Sequence, residues 1–418
     1  MNVNYLLDNL KKNKDRLAIV SDDREYSFDD IYNEYEKAVM LLQKKSISPG
    51  SVVSVIAEFT PVSIALLIAL IERDMIIVPI SRTIKEKDRY IRISESQYVI
   101  DLWQNINISR TNTEVKHKML RTLIRKQAPG LILFSSGTTG EPKAALHDLT
   151  FLMKKFEKPG KCLSTVTFLL FDHIGGFNTI MHSLSSGCMI ATLKDRSPEE
   201  VCRIIEKYNL SSLKMISYGT EPMPESTLKQ LHKLLPEIKL KQTYGLSELG
   251  IMSTKSMSSD SLWMKVGGDG YETKIVDDIL YIRARSAMIG YLNASSPFDE
   301  DGWFNTKDKV EKNGDYIKIL GRTTDLINVG GEKVYPNEVE SVLLSFDGVR
   351  DVYVYGEANP ITGQSVIANV CVDKNNDNRD FIKQLRKYCK DNLESYKRPT
   401  SYRLTTEVFY GERFKKKR

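Results

Sequence analysis

Residues 131–148 read LILFSSGTTGEPKAALHD, an apolar run followed by six small or hydroxylated residues, Ser135 to Gly140, and closed by Pro142 and Lys143. Hydroxyls and glycines together offer side-chain donors and unobstructed backbone N–H groups, and a nearby ammonium adds positive charge, so the guest that suits this loop is a polyphosphate. A Walker A loop is excluded, because it needs Gly, four residues and then Gly-Lys-Ser/Thr. Here Gly140 is followed by Glu141 and Pro142, and Lys143 by Ala144. On these residues alone the stretch is either another kind of phosphate loop or a Gly/Ser/Thr turn after a strand.

Outward from this stretch, helical and strand patterns alternate. Ser27 and Asp30 are placed as a capping box for a helix through about Lys45. Val52–Ala57, Ile76–Ile80 and Gly130–Phe134 have the composition of buried strands, and Thr60–Glu72 reads as a helix between the first two. A helix is expected near Asp148–Lys155, a strand around Val166–Leu170, and further pairs up to a strand at Met215–Tyr218 and a helix over Pro224–Leu235. This spacing predicts an α/β fold, with a large N-terminal domain of helix-covered, mostly parallel sheets. Beyond about residue 250 the texture becomes β-rich, as in Thr273–Val276, Ile279–Arg283 and Tyr316–Leu320. After Gly321 and Arg322 it changes again to a small α+β unit. The expected domains are therefore residues 1–323, including a small β-rich subdomain, and residues 324–418.

A chain of 418 residues exceeds what one core usually supports, in keeping with more than one domain. Sixty basic and 54 acidic residues leave a formal charge of +6, too thin an excess to argue for nucleic acid. The five cysteines show no CxxC spacing and the five histidines do not cluster with them, so neither a zinc site nor a disulfide framework is expected, which suits a cytoplasmic location. The N-terminus lacks the pattern of a signal peptide. The most lipophilic run, Val62–Ile71, is too short to span a bilayer, so no integral membrane segment is expected.

Other polar constellations compete with the first. Tyr244-Gly245-Leu246-Ser247-Glu248 puts an aromatic face, a hydroxyl and a carboxylate close together. An aromatic ring can stack on a base, and a carboxylate can hold a divalent ion against phosphates. Gly302-Trp303-Phe304-Asn305-Thr306-Lys307-Asp308 ends in an Asp able to accept two ribose hydroxyls, and Arg322 follows as a donor. Each also has a plain reading: Glu248 as a helix-start carboxylate, Asp308 as a turn former, Arg322 as a surface cation.

In their order, these segments resemble the adenylate-forming superfamily of acyl-CoA synthetases, peptide-synthetase adenylation domains and luciferases. Phe134–Lys143 is similar to that family's phosphate loop, and YGLSE at 244–248 to its Tyr-Gly-x-Thr-Glu motif. YIRARSAMIGYLN at 281–293 and GWFNTKD at 302–308 resemble the next two motifs, and GRTTDLINVGGEKVYPNEVE at 321–340 its hinge motif.

The resemblance implies an AMP-forming acid:thiol ligase, an acyl-CoA synthetase using ATP, Mg²⁺ and CoA. A carboxylate attacks the α-phosphorus of ATP to give acyl-AMP and pyrophosphate, and a thiol then displaces AMP. By family position Ser135, Ser136, Gly137, Thr138, Thr139 and Lys143 bind the phosphates, with Thr138 and Glu248 near the metal and Lys143 and Glu248 catalytic. Gly219, Thr220 and Glu221 match the adenine-binding segment, Tyr244 stacks on the base beside Ser247, and Asp308 with Arg322 grips the ribose. His173 matches the acyl-pocket histidine, with a buried structural histidine as its competitor, and this register tilts the substrate towards an acyl or aryl acid. Asp325 looks like the hinge of a mobile C-terminal domain, and Gly330 and Gly331 like its thiolation loop. The family usually ends near Gly-Lys-hydrophobic-x-Arg, whose Lys serves adenylation, whereas here Gly411 is followed by Glu412 and Arg413, with Lys415 in reach. Arg413 is taken as the replacement and Lys415 as the alternative. Val266–Gly270 resembles the Gly-Gly-Asp-Ser of carrier proteins but has no such Ser, so the thiol comes from free CoA or from a separate carrier protein. The alternatives are thus a stand-alone adenylation enzyme loading that carrier, and a degenerate nucleotide-binding protein.

Overall fold

The computed structural model describes residues 3–103, 105–135, 141–193, 198–208, 213–219, 221–373 and 379–409. The chain divides into two compact units, one of Met1–Ser212, Gly245–Ile251 and Ala284–Pro297, the other of Leu213–Tyr244, Met252–Arg283 and Phe298–Arg418.

The first unit is built on a seven-stranded sheet whose strands lie in the order Gly290–Tyr291, Lys143–Asp148, Gly130–Ser135, Ile76–Ile80, Val52–Ile56, Tyr98–Asp101, Asn107–Arg110. The four strands from Gly130–Ser135 to Tyr98–Asp101 are parallel, and the flanking pairs are antiparallel. Helix Pro61–Glu72 joins two of the parallel strands. Its residues from Ser63 to Ile71 are buried without a polar face, which is what an all-apolar helix requires. Thr60 and Ser63 close a capping box over its N-terminus, and Pro61 occupies the first turn, where its missing N–H costs nothing. A second sheet carries Arg24–Ser27, Leu17–Ser21, Ile190–Thr192 and Thr165–Thr167, all parallel except the first pair. Helix Phe28–Lys44 starts at the expected box, in which the Ser27 backbone N–H donates to Asp30 Oδ2 at 2.7 Å and Asp30 N–H donates to Ser27 Oγ at 3.0 Å.

The second unit holds a parallel pair, Met215–Tyr218 beside Lys239–Gln242, and a six-stranded sheet in the order Ser253–Ser256, Met264–Gly267, Tyr316–Arg322, Phe304–Asn313, Ile279–Ala284, Tyr271–Val276. Its third sheet pairs Val349–Asn359 with Gly363–Val372, flanked by Ile327–Val329 and Ser401–Thr405. Helices Pro336–Leu344 and Arg379–Asn392 bury Val339, Leu343, Phe381 and Leu385 in one core with Val352, Val354 and Val366.

The structure differs from the sequence reading after the phosphate loop and at one cysteine pair. The segment after the phosphate loop, Lys143–Asp148, to which the sequence reading gives no element, is a strand, and the helix expected near Asp148–Lys155 is short, Leu149–Met153. Cys162 and Cys188 are bonded to each other, with Cα atoms 5.3 Å apart across 26 residues of sequence, a pairing with no spacing signature to betray it. Among the described residues, no helix is long and apolar enough to cross a membrane.

Candidate active site

The opening stretch forms an antiparallel hairpin. Strand Gly130–Ser135 runs back as Lys143–Asp148, with Ser135 directly opposite Lys143 at its mouth. Ser136, Gly137, Thr138 and Thr139 lie outside the described residues. Because the loop returns into a strand, no helix N-terminus follows it, and the positive charge on its far side is the Lys143 ammonium.

Beside this mouth stands a second hairpin, Gly245–Leu246 paired with Gly250–Ile251, whose tip carries Ser247 and Glu248. Glu248 therefore sits at a β-turn and not at a helix start. Gly250 takes φ +84°, a left-handed value that suits a residue without Cβ. Three contacts fix the tip. His147 Nε2 donates to the Ser247 carbonyl at 2.6 Å, Met288 N–H donates to the Glu248 carbonyl at 2.7 Å, and the Tyr291 hydroxyl donates to Glu248 Oε1 at 2.5 Å. The Lys143 ammonium lies over the Tyr291 ring, 5.3 Å from its centroid. Lys143 and Glu248 thus meet the same tyrosine, the ammonium over its ring and the carboxylate at its hydroxyl. Burial is the main cause that drives the His147 pKa down to about 4, so this imidazole is neutral at ordinary pH. Burial, then the Glu248 charge, pushes the Tyr291 phenol up and keeps it a donor. Neither His147 nor Tyr291 carries a signal in the sequence, since their partners are 100 and 43 residues away.

In the second unit, Tyr218 and Gln242 are opposite each other at the C-terminal ends of two parallel strands, where open α/β sheets bind ligands. Gly219 follows the first strand with φ +154°, and a Cβ there would stand 2.0 Å from the Thr243 carbonyl oxygen. Only glycine permits this close passage. Thr220 lies outside the described residues, and Glu221 is half-buried beyond it. Tyr244 comes next and is itself buried, its hydroxyl donating to Asp308 Oδ2. Asp308 and Arg322 are cross-strand neighbours, and Arg322 Nε donates to Asp308 Oδ1 at 3.3 Å. Burial raises the Asp308 pKa, and the Arg322 charge and the Tyr244 hydroxyl work against that rise. The structure therefore gathers Tyr244, Asp308 and Arg322 into one cluster. Lys307 is held at φ +60°, the left-handed region, at the position where the resemblance expects Gly.

His173 caps helix Ile174–Ser186 by accepting the Gly175 N–H at Nδ1, 3.0 Å away. Asp325 ends a short 3₁₀ turn and accepts from Thr324 Oγ1. Gly330 and Gly331 take φ +62° and +95° in a two-residue turn between Ile327–Val329 and Glu332–Val334, a conformation open chiefly to glycine. Gly330 N–H donates to the Thr362 carbonyl at 2.8 Å, which ties this turn to the tip of the neighbouring hairpin. Arg413 and Lys415 lie outside the described residues.

Among the described residues, no three His, Cys, Asp or Glu side chains are placed to cage a metal ion. A single carboxylate such as Glu248 fits Mg²⁺ of the kind that keeps its waters and arrives on substrate phosphates. The first unit also has an open cleft of about 1090 Å³, lined in part by Glu58, Phe59, Arg82, Trp103 and Thr167. The Arg82 guanidinium stacks there on Trp103, 4.0 Å from the ring centroid.

A family model described as AMP-binding enzyme matches residues 6–211, and one described as AMP-binding enzyme C-terminal domain matches residues 338–409. The chain belongs to the AMP-binding enzyme family. Among proteins similar to this AMP-binding enzyme, 2-succinylbenzoate–CoA ligase of Listeria innocua is 22% identical over 95% of this chain and 94% of its own length. Acyl-CoA synthetase 7 of Caenorhabditis elegans is 30% identical over 49% of this chain and 41% of its own. The o-succinylbenzoate CoA synthetase of Bacillus subtilis, solved with its acyl-adenylate, superposes with a TM-score of 0.78 at 20% identity, covering 99% of this chain and 96% of that one. The anthranilate CoA ligase AuaEII gives 0.81 at 18% identity over 99% and 95%. The fold of this AMP-binding enzyme is accordingly that of the adenylate-forming enzymes.

Proposed function

We propose that this AMP-binding enzyme is an AMP-forming acid:thiol ligase that activates a carboxylic acid with ATP and transfers the acyl group to CoA. The observation that carries most of this reading is the match of proteins named 2-succinylbenzoate–CoA ligase over 95% to 97% of the chain. In the first half-reaction a carboxylate oxygen bonds to the α-phosphorus of ATP, and the bond to the β-phosphate oxygen breaks, releasing pyrophosphate. Charge develops on phosphoryl oxygens, so catalysis is chiefly positioning and cationic stabilisation. The Lys143 ammonium and the hydroxyls and N–H groups of Ser135 to Thr139 serve the leaving pyrophosphate, and Glu248 holds the Mg²⁺ that accompanies ATP. That ion neutralises phosphate charge. Asp308 and Arg322 take the ribose hydroxyls, the Gly219–Glu221 segment faces the base, and Arg413 or Lys415 bridges carboxylate and α-phosphate. In the second half-reaction a thiolate attacks the acyl carbonyl, and the carbonyl–phosphate oxygen bond breaks to free AMP. Asp325 is the hinge of residues 324–418, and Gly330 and Gly331 line the thiol's approach.

An aryl acid is the favoured substrate class, with His173 beside it. Similar proteins bear the names 2-succinylbenzoate–CoA ligase, indoleacetate–CoA ligase, 4-coumarate–CoA ligase-like 6 and anthranilate CoA ligase, and each name contains an acid with a ring. The reaction belongs in the cytoplasm, where ATP and CoA are supplied. Incubating the protein with ATP, Mg²⁺, a panel of aryl and fatty acids, and either CoA or a purified acyl carrier protein tests the proposal by mass spectrometry of the thioester. Acyl-CoA is the expected product. Thioester on the carrier alone replaces CoA as acceptor, and ATP turnover without any thioester refutes the ligase.

A further inference from the structure

We propose that Tyr291 is the positioning residue of Glu248, and that Met288–Asn293 fastens this carboxylate and the exit strand of the phosphate loop into one rigid piece. The proposal deepens the ligase reading, and it rests on Glu248 being the side chain that receives the divalent ion on ATP.

The segment holds both partners at once. On one side, Met288 N–H donates to the Glu248 backbone carbonyl at 2.7 Å, and the Tyr291 hydroxyl donates to its carboxylate at 2.5 Å. On the other, Gly290 and Tyr291 pair antiparallel with Leu146 and Ala145. Ile289 N–H donates to the Leu146 carbonyl at 2.7 Å, and Leu292 N–H to the Ala144 carbonyl at 2.9 Å. Asn293 then uses both ends of its amide. Its Oδ1 accepts the Ala144 N–H at 2.9 Å and its Nδ2 donates to the Pro142 carbonyl at 2.8 Å, so that Lys143 is bracketed by the residues this one side chain grips. Pro142 has no N–H of its own to anchor the loop's exit, and the Asn293 latch does so through its carbonyl.

Tyr291 is the centre of this piece. It is 7% exposed, and its ring lies under the Lys143 ammonium while its hydroxyl meets Glu248. A phenol that serves only as packing is satisfied by any carbonyl. Donation to a carboxylate at the tip of a two-strand hairpin instead selects one orientation of that side chain. A carboxylate has roughly four acceptor sites, so a single donor at Oε1 leaves capacity for a cation. Outer hydrogen bonds of this kind orient a ligand before its ion arrives, and their loss typically weakens metal affinity about 10- to 100-fold.

The test is calorimetric binding of Mg²⁺·α,β-methylene-ATP, which cannot react at the α-phosphorus, and of AMP, which needs no metal. The full chain is used as wild type, Tyr291→Phe, Glu248→Gln and the double variant. Tyr291→Phe is expected to weaken the Mg²⁺ complex about tenfold while leaving AMP affinity unchanged. In the Glu248→Gln background the same change is expected to add nothing, because the effect passes through that carboxylate. Leu292→Ala, which loosens packing but keeps both hydrogen bonds, is the control and is expected to show no preference between the two ligands. If Tyr291→Phe leaves the Mg²⁺ complex intact, weakens AMP equally, or still weakens binding in the Gln background, the positioning role is overturned and the role of Glu248 survives. If Glu248→Gln itself leaves Mg²⁺-nucleotide affinity unchanged, the reading of Glu248 falls, and the proposal falls with it.

Discussion

His147 makes the stability of the first unit pH-dependent in a direction that the structure dictates. The side chain is completely buried, and its Nε2 proton is committed to the Ser247 carbonyl. Its pKa falls from 6.5 to about 4, burial being the largest cause. Since the folded value is depressed, the unfolded chain binds the proton first as pH falls. The stability due to a neutral His147 is fully present above pH 6.5 and is lost progressively down to about pH 4. At about 1.4 kcal/mol per pH unit the whole window is worth about 3 kcal/mol, of which about 2 kcal/mol is gone by pH 5.0. Of the three tryptophans only Trp103 belongs to the first unit. Urea unfolding followed by Trp103 fluorescence, with Trp263→Phe and Trp303→Phe in the background, therefore reports on that unit. His147→Gln can still donate to the Ser247 carbonyl but does not titrate. The reference chain should lose about 2 kcal/mol more than His147→Gln between pH 7.5 and 5.0. Parallel pH profiles for the two chains would refute the reasoning. Because Ser247 adjoins Glu248, nucleotide binding should weaken over the same range in the reference chain.

Four further outcomes follow from the geometry. Gly219→Ala drives a Cβ against the Thr243 carbonyl oxygen, 2.0 Å away, and should lower stability by about 1–3 kcal/mol and abolish AMP binding, whereas wild-type AMP affinity would contradict the placement. Arg322→Lys keeps the charge but not the planar fork, and should raise KM for ATP about tenfold, the worth of one hydrogen bond to a charged group, with kcat little changed; an unaltered KM removes Arg322 from the site. Lys307→Gly relieves a left-handed Lys and should leave stability unchanged or raise it by up to about 1 kcal/mol, which urea unfolding checks and a clear loss contradicts. Of Arg413→Ala and Lys415→Ala, one should slow acid-dependent pyrophosphate release by about 10²- to 10³-fold, and wild-type rates in both would end the idea that either replaces the usual Lys.

What was legible in the sequence was local. The Ser27–Asp30 box lies within one turn, and Pro61–Glu72 is apolar enough that only a buried helix accommodates it. Strand Met215–Tyr218 falls where its composition put it. Strand Lys143–Asp148 was not legible, because KAALHD favours a helix by intrinsic propensity and becomes a strand through its pairing with Gly130–Ser135 on one side and Gly290–Tyr291 on the other. The motif 281–293 was recognised without a role for Tyr291, since a hydroxyl's partner across 43 residues is set by tertiary structure alone. Asp308 and Arg322 could be named as a pair from motif order, but their adjacency depends on cross-strand register, which no single sequence states. Likewise His147 reads as an ordinary residue until its partner, 100 positions on, is seen.

The measurement that bears most directly on the ligase assignment is acid-dependent exchange of labelled pyrophosphate into ATP. Exchange requires reversible formation of acyl-AMP, which mere nucleotide binding does not provide. A panel of carboxylic acids should include at least one, an aryl acid, that supports exchange, and Lys143→Ala should suppress it. A protein that binds AMP yet exchanges no pyrophosphate with any acid would be a nucleotide binder that has lost adenylation.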